Sequence, residues 1–412
     1  MPSSLKKSTQ HLCSIVMRLI NLLIAASALE AVATEDFVRK ECILKAKRDL
    51  NFTSSKAFDE TSSITTPTTD VDNIILSDLR PGLCETTFLV RNGKFYAHKE
   101  SRSLLYKDKN TIYLRHRAFF LSSFEMLKET EKILSVKVPE IIFNLETQDN
   151  PTCRYPVTEI ESGQIRAVKG LFHHSFCSPK LCNGIFLFPI SYNQNFKAME
   201  DTRKIDSHYS EIPWKSKQSK LFWRGSNAGK IKEYAHFYWK FSNLPRSKAV
   251  KMCKNRKDAD VEFGFVPWKI FMKHKYILAL AGNTYSSLFK HALRSGSCIL
   301  RQEERMYEWF EPFLKEWVHY IPVKWDLSDL FVQLQWAKDH DKEAKEIGLR
   351  AKAIGEALFS PSLMACYIYC LLIQYHAKLR IDFKDEKLMD AFTEVRYICN
   401  SKRNKMNNCI KL

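Results

Sequence analysis

Three short stretches carry side chains that handle anions or protons. In "SKLFWRGSNAG" (219–229) the apolar run Leu221-Phe222-Trp223 meets Arg224, followed by Gly225 and Ser226. Glycine lets backbone approach a ligand closely, and a guanidinium is a planar fork of donors that fits phosphate oxygens. The same arginine also suits a structural carboxylate, and spacing alone does not separate the two. In "AGNTYSSLFKHALRSGS" (281–297), Gly282, Asn283, Thr284, Ser286 and Ser287 open a helix whose apolar face includes Phe289 and Leu293. Such a start presents free N–H groups and partial positive charge, a seat for a diphosphate. Lys290 and His291 lie one turn in. An ordinary Ser/Thr-capped helix reads the same way, and the stretch is neither a Walker A loop nor G-x-G-x-x-G. In "NLETQDNP" (144–151), Glu146 and Asp149 are candidate general bases, provided that a hydroxyl comes within hydrogen-bond reach. The alternative is a polar turn before Pro151.

The surrounding pattern positions these stretches. "VPEIIFN" (138–144) reads as a buried strand ending at Asn144, and "GIFLFPI" (184–190) as a second. Phe120, Phe124, Leu127 and Leu134 recur at helical spacing within 117–134. All eight tryptophans lie beyond residue 213, where strand, loop and helix alternate again through "KLFWRGS", "DVEFGFV", "KYILALAG", "SCIL" and "VHYIPV". Two long helices follow, the first opened by an N-cap cluster of Asp326, Ser328 and Asp329. Alternation in both halves predicts an α/β fold with two layers and mainly parallel sheets. In open α/β sheets ligands sit beyond the C-terminal ends of strands, and all three stretches fall at such ends.

A chain of 412 residues suggests two domains. Hydrophobic content of 45% with 27% charged residues describes a globular protein. The net charge of +18 suits nucleic acid, an anionic membrane surface or an anionic small substrate. No zinc-finger spacing, RNP aromatic motif or basic zipper supports nucleic acid. The densest basic cluster (Arg246, Lys248, Lys251, Lys254, Arg256, Lys257) reads as a solvated loop or helix face.

Lys6 and Lys7, the apolar run 19–29 and Ala31-Val32-Ala33 form a leader over 1–33, read as a cleaved signal peptide, with an uncleaved anchor as the alternative. Twelve cysteines behind a leader suggest disulfides, with a bridge from Cys366 or Cys370 to Cys42 one option. Asn51-Phe52-Thr53 is a glycosylation sequon that fits a secretory route. Residues 53–72 read as an exposed loop within an N-terminal extension, 34–83.

"KLFWRGS", "KYILALAGNTYSSLFKHALRSGSCIL" and "YEWFEPFLKEWVHYIPVKWDLSDLFVQLQWAKDHDKEAKEIGLRA" together closely resemble glycosyltransferase family 90, the group of Rumi-type protein O-glucosyltransferases and fungal capsule-associated proteins. "VRNGKFY" (90–96), "VPEIIFNLETQDNP" and "IFLFPI" resemble its acceptor-side half. The resemblance implies a GT-B architecture, two facing Rossmann-like domains with a donor cleft between them: 84–205 on the acceptor side and 206–380 for the nucleotide sugar, with 381–412 as a tail. It implies a UDP-sugar donor, with UDP-glucose or UDP-xylose usual, and inverting transfer to a hydroxyl of a protein or glycan acceptor. No cofactor and no metal ion are expected, nor a nucleic-acid partner, and a membrane only if the leader is retained. Localisation would be the secretory pathway, in the endoplasmic reticulum or Golgi lumen. Carried over by position, Arg224 is the diphosphate contact, with Gly225 and Ser226 on the same loop. Thr284, Tyr285, Ser286 and Ser287 form the second donor loop. Asp149, in an Asp-x-Pro-like context, is the base, with Glu146 its rival. Where many members have an arginine after the serines, this chain has Leu288, with Lys290 two residues on.

Overall fold

The computed structural model describes residues 85–100, 111–146, 171–173, 175–177, 185–188, 212–227, 245–282, 286–303, 306–376, 379–397 and 410–411. The leader, the sequon at Asn51, the loop 53–72, Cys42, Asp149, Thr284 and Tyr285 lie outside the described residues.

The first sheet begins with a hairpin. β1 (Glu85–Arg91) and β2 (Lys94–His98) pair antiparallel across Asn92-Gly93, whose φ angles are 51° and 70°. Asn-Gly tolerates positive φ at both central turn positions, which matches the twist of the flanking strands. Helix α1 (Thr111–Leu134) covers the sheet, with Phe124 packed on Phe95 at 4.3 Å between ring centroids. β3 (Ile141–Glu146) pairs antiparallel with β1. It runs two residues past the expected end at Asn144. The buried Asn144 accepts at its Oδ1 from Thr87 Oγ1, opposite on β1, at 2.6 Å. β4 (Leu171–His173) lies parallel to β3, and β6 (Ile185–Leu187) parallel to β4, while β5 (Ser175–Cys177) leaves the sheet. The first sheet is therefore mixed rather than mainly parallel. A two-residue turn joins β1 to β2, and only antiparallel neighbours can be joined so tightly.

The second sheet is parallel throughout. β7 (Gln218–Gly225), α2 (Pro245–Cys253), β8 (Ala259–Phe263), α3 (Trp268–Phe271), β9 (His274–Ala279), α4 (Ser287–Leu293), β10 (Cys298–Gln302), β11 (Met306–Glu308) and β12 (Ile321–Val323) follow in the chain. The strands stand in the order β8-β7-β9-β10-β12, a Rossmann-like arrangement. Its centre is apolar: Tyr276 through Ala279 and Cys298 through Leu300 are all buried, as strands covered on both faces require.

The expected single helix from residue 326 is two helices, α5 (Leu330–Asp339) and α6 (Asp341–Leu358). The second starts at Asp341, whose carboxylate accepts from Trp214 Nε1 at 3.0 Å and Lys275 Nζ at 2.6 Å. Asp329 holds the N-cap position of α5 without a capping bond; its Oδ1 accepts from Lys324 N. α6 lies so close to the sheet that a Cβ on Gly348 would come within 2.8 Å of the Ser297 carbonyl carbon. Gly348→Ala is therefore expected to lower stability by about 1–3 kcal/mol, the scale of overpacking, read from the denaturant midpoint. An unchanged midpoint would contradict that close approach.

α7 (Pro361–His376) returns to the first half, where Tyr375 donates to Ile142 O at 2.8 Å. After α8 (Lys387–Asp390), β13 (Phe392–Glu394) pairs antiparallel with β2 and becomes the edge of the first sheet. Within the segment expected as a tail, Phe392 and Val395 are apolar and buried, and Val395 N donates to Phe95 O at 2.7 Å. Buried apolar residues of both sheets form one continuous cluster.

Candidate functional site

The strand order locates the site. From β7 the chain goes to β8 on one side, then returns to β9 on the other. In a doubly wound sheet this reversal opens a crevice at the C-terminal ends of the two strands that flank it. Those ends carry Arg224-Gly225-Ser226 on β7 and Leu280-Ala281-Gly282 after β9.

Arg246, near the start of α2, spans the crevice. Its Nε donates to Ala281 O at 2.9 Å, and its Nη1 donates to Ser226 O at 3.1 Å and Ser226 Oγ at 3.3 Å. The guanidinium lies 5.7 Å from the Trp223 ring centroid, within cation–π range. Ser247 Oγ donates to Asn227 Oδ1 at 3.2 Å, which ties the loop after β7 to the same helix. Behind the crevice Gln302 is fully buried; its Oε1 accepts from Ala281 N at 3.0 Å and its Nε2 donates to Trp325 O. Lys248 donates to Asp326 O. The ends of β7, β9, β10 and β12 are in this way held in one rim, with a partly exposed cation across its centre.

In the structure Arg224 is paired with carboxylates of the neighbouring strand. Its Nη2 lies 2.6 Å from Asp260 Oδ1 and 3.6 Å from Glu262 Oε2, and its Nη1 donates to the carbonyls of Trp223 and Asp260. The guanidinium stacks on Phe222 at 4.7 Å. Strand alternation puts Arg224 and Phe222 on one face of the sheet and Trp223 and Gly225 on the other. Gly225 is required there: a Cβ would come within 2.6 Å of Trp223 Cζ2. Ser226 is exposed and accepts from Arg246.

In the second loop Ser286 is buried at the N-cap of α4, and Ser287 is exposed. Leu288 is buried among the apolar residues of the sheet. Lys290 is buried as well, with Nζ 2.7 Å from Glu308 Oε1. Burial pushes the Glu308 carboxyl up to about 7 against the pull of Lys290. The structure therefore pairs Lys290 with Glu308. Glu146 is the last residue of β3, its backbone opposite Glu85.

A ribbon connects the two sets of strand ends. β5 follows the C-terminal end of β4 after one residue, and β11 follows that of β10 after three. β5 and β11 pair antiparallel, with Ser175 opposite Glu308 and Cys177 opposite Met306. Glu146 sits at the same end of the first sheet, since β3 and β4 are parallel.

Sequence reasoning missed Arg246 by counting it into a solvated basic face. The usable signal was Pro245, a residue favoured at the first turn of a helix, because the helix after the first strand of such a unit starts at the crevice. Gln302 carries no comparable signal.

The chain is 30% identical over 185 residues to Protein O-glucosyltransferase 2 of Danio rerio, covering 44% of this chain and 37% of that protein. It is 35% identical over 105 residues to Protein O-glucosyltransferase 3 of Mus musculus, covering 26% and 21% respectively. It is 31% identical over 174 residues to Protein O-glucosyltransferase 1 of Homo sapiens, covering 40% and 44%. The matches thus span less than half the length of these curated relatives. The match to the family described as Glycosyl transferase family 90 runs over residues 96–411, most of the chain. With a Rossmann-like sheet and a cation across its switch point, the chain belongs to glycosyl transferase family 90.

Proposed function

We propose that the crevice between the ends of β7 and β9 holds the diphosphate of a UDP-sugar, and that the protein transfers glucose or xylose, with inversion, to a hydroxyl of a protein or glycan acceptor in the secretory pathway. The carrying observation is the Arg246 guanidinium, bound to both strand ends and still partly exposed. The relatives are named protein O-glucosyltransferases, which supports glucose as the sugar. The leader and the sequon support the secretory route.

In this reading Asp149 takes the proton of the acceptor hydroxyl as its oxygen attacks the anomeric carbon. The new C–O bond forms opposite the breaking bond to the diphosphate, and UDP departs with the bonding electrons. Negative charge grows on the leaving diphosphate, and a preorganised cation there lowers the barrier. Arg246 fills that role, with Ser226, Ser286 and Ser287 on the two donor loops; Thr284 and Tyr285 are assigned to the second loop by sequence alone. Arg224 holds the β7–β8 edge through Asp260. The GT-B cleft would lie between residues 84–205 and 206–380, and the β5–β11 ribbon supports it by joining the strand end of Glu146 to that of Gln302.

A second reading, a catalytically silent protein that keeps the fold and binds sugar or protein partners, is favoured by two observations. Leu288 is buried where many members carry an arginine, and Lys290 is engaged with Glu308. UDP release from UDP-glucose and UDP-xylose separates the two. Asp149→Ala is expected to abolish turnover in a protein that still folds and binds UDP. Loss in Glu146→Ala with retention in Asp149→Ala would reassign the base, and no release from any UDP-sugar would favour the silent reading.

A further inference from the structure

Glu308 stands where two parts of the fold meet. It ends β11, opposite Ser175 of β5, so it belongs to the ribbon between the two sets of strand ends. Its carboxylate reaches Lys290, with the two side chains 3% and 4% exposed. Lys290 lies one turn into α4, whose first residue, Ser287, follows the loop that leaves β9. The backbone of Glu308 is tied to a second buried ion pair. Glu308 N donates to Glu311 Oε1 at 3.1 Å, and Glu311 is paired with Arg301. The charged groups facing Glu308 are thus Lys290, Glu311 and Arg301. One buried ion pair connects the ribbon to the helix behind the second loop.

We propose, resting on the donor-site reading above, that Glu308 is a positioning residue for the nucleotide sugar: through Lys290 it fixes α4, and with it Ser286 and Ser287, to the ribbon that joins the two halves of the chain. The charge of Glu308 is what carries this. Above about pH 7 the carboxylate is ionised and attracts Lys290; below it the neutral acid keeps only a weaker hydrogen bond. Glutamine at this position preserves size and an acceptor oxygen but removes the charge.

Calorimetry of UDP-glucose binding to the full chain and to Glu308→Gln tests this, because the diphosphate diester of UDP-glucose does not titrate near neutral pH. At about pH 8.5 wild type is expected to bind about tenfold more tightly than the variant, within the usual range of coupling between sites. At about pH 6 the gap is expected to close to about twofold or less, with wild type weakened to the level of the variant. A gap that is absent, or equal at both pH values, would overturn the proposal. If Glu308→Gln does not fold, wild type alone decides: affinity that stays constant between the two pH values overturns it. Wild type that binds no UDP-glucose at either pH removes the donor-site reading and this inference together.

Discussion

Arg246→Ala is expected to lower kcat/KM for the UDP-sugar by about 10²–10³-fold, the scale of losing one preorganised donor to a developing oxyanion. The effect should fall on kcat as well as on KM, because charge on the diphosphate grows as the sugar departs. Global stability should change little. Arg246 is partly exposed, and the polar groups it binds, Ser226 O, Ser226 Oγ and Ala281 O, sit at a rim that water reaches once the side chain is gone. Arg246→Lys keeps a positive charge but loses the fork that reaches both strand ends at once, so it should recover only part of the rate. An alanine variant with unchanged kcat/KM would take the diphosphate away from the switch point.

The largest expected loss of stability lies beneath α4. Arg301 and Glu311 form an ion pair with side chains 7% and 3% exposed. Arg301 also lies over Phe289 at 4.4 Å and within 3.5 Å of Tyr320 Oη. Removing one partner leaves the other charge buried and uncompensated. Glu311→Ala is therefore expected to cost about 3–5 kcal/mol in urea unfolding, and it also deprives Glu308 N of its acceptor. Replacing both partners, as Arg301→Met with Glu311→Leu, should cost much less, since the desolvation of two charges is removed along with their attraction. A single-variant loss under about 1 kcal/mol would mean that water reaches the pair, as it does in exposed ion pairs.

The second sheet was legible in the sequence because its strands are short apolar runs followed by helices, the signature of parallel β-α alternation. The first was only half legible. Asn92-Gly93 announces a hairpin by itself, yet the alternation around it suggested crossovers. β13 could not be read locally at all: Phe392-Thr393-Glu394 is too short to carry a period, and it becomes a strand only because β2 offers an unpaired edge. Arg224 shows the limit for single residues. An arginine after an apolar strand suits phosphate or carboxylate equally, and its carboxylate partners, Asp260 and Glu262, come alongside only through parallel pairing with β8. Lys290 is similar, since Glu308 lies 18 residues away in sequence and meets it only once β11 folds back. Arg246 was hidden for a different reason. Five other basic residues follow it closely, and only the strand order distinguishes the one that spans the crevice.

The most direct measurement is calorimetric binding of UDP to wild type, Arg246→Ala and Arg224→Ala at one pH and ionic strength. The donor-site account predicts that wild type binds UDP and that Arg246→Ala binds more weakly by about 1.5–3 kcal/mol, the scale of charge-assisted hydrogen bonds. Arg224→Ala, once shown to be folded, should bind within about 0.5 kcal/mol of wild type, as expected for a side chain away from the ligand. If Arg224→Ala loses UDP while Arg246→Ala retains wild-type affinity, the assignment of the diphosphate to Arg246 at the β7–β9 switch point is wrong.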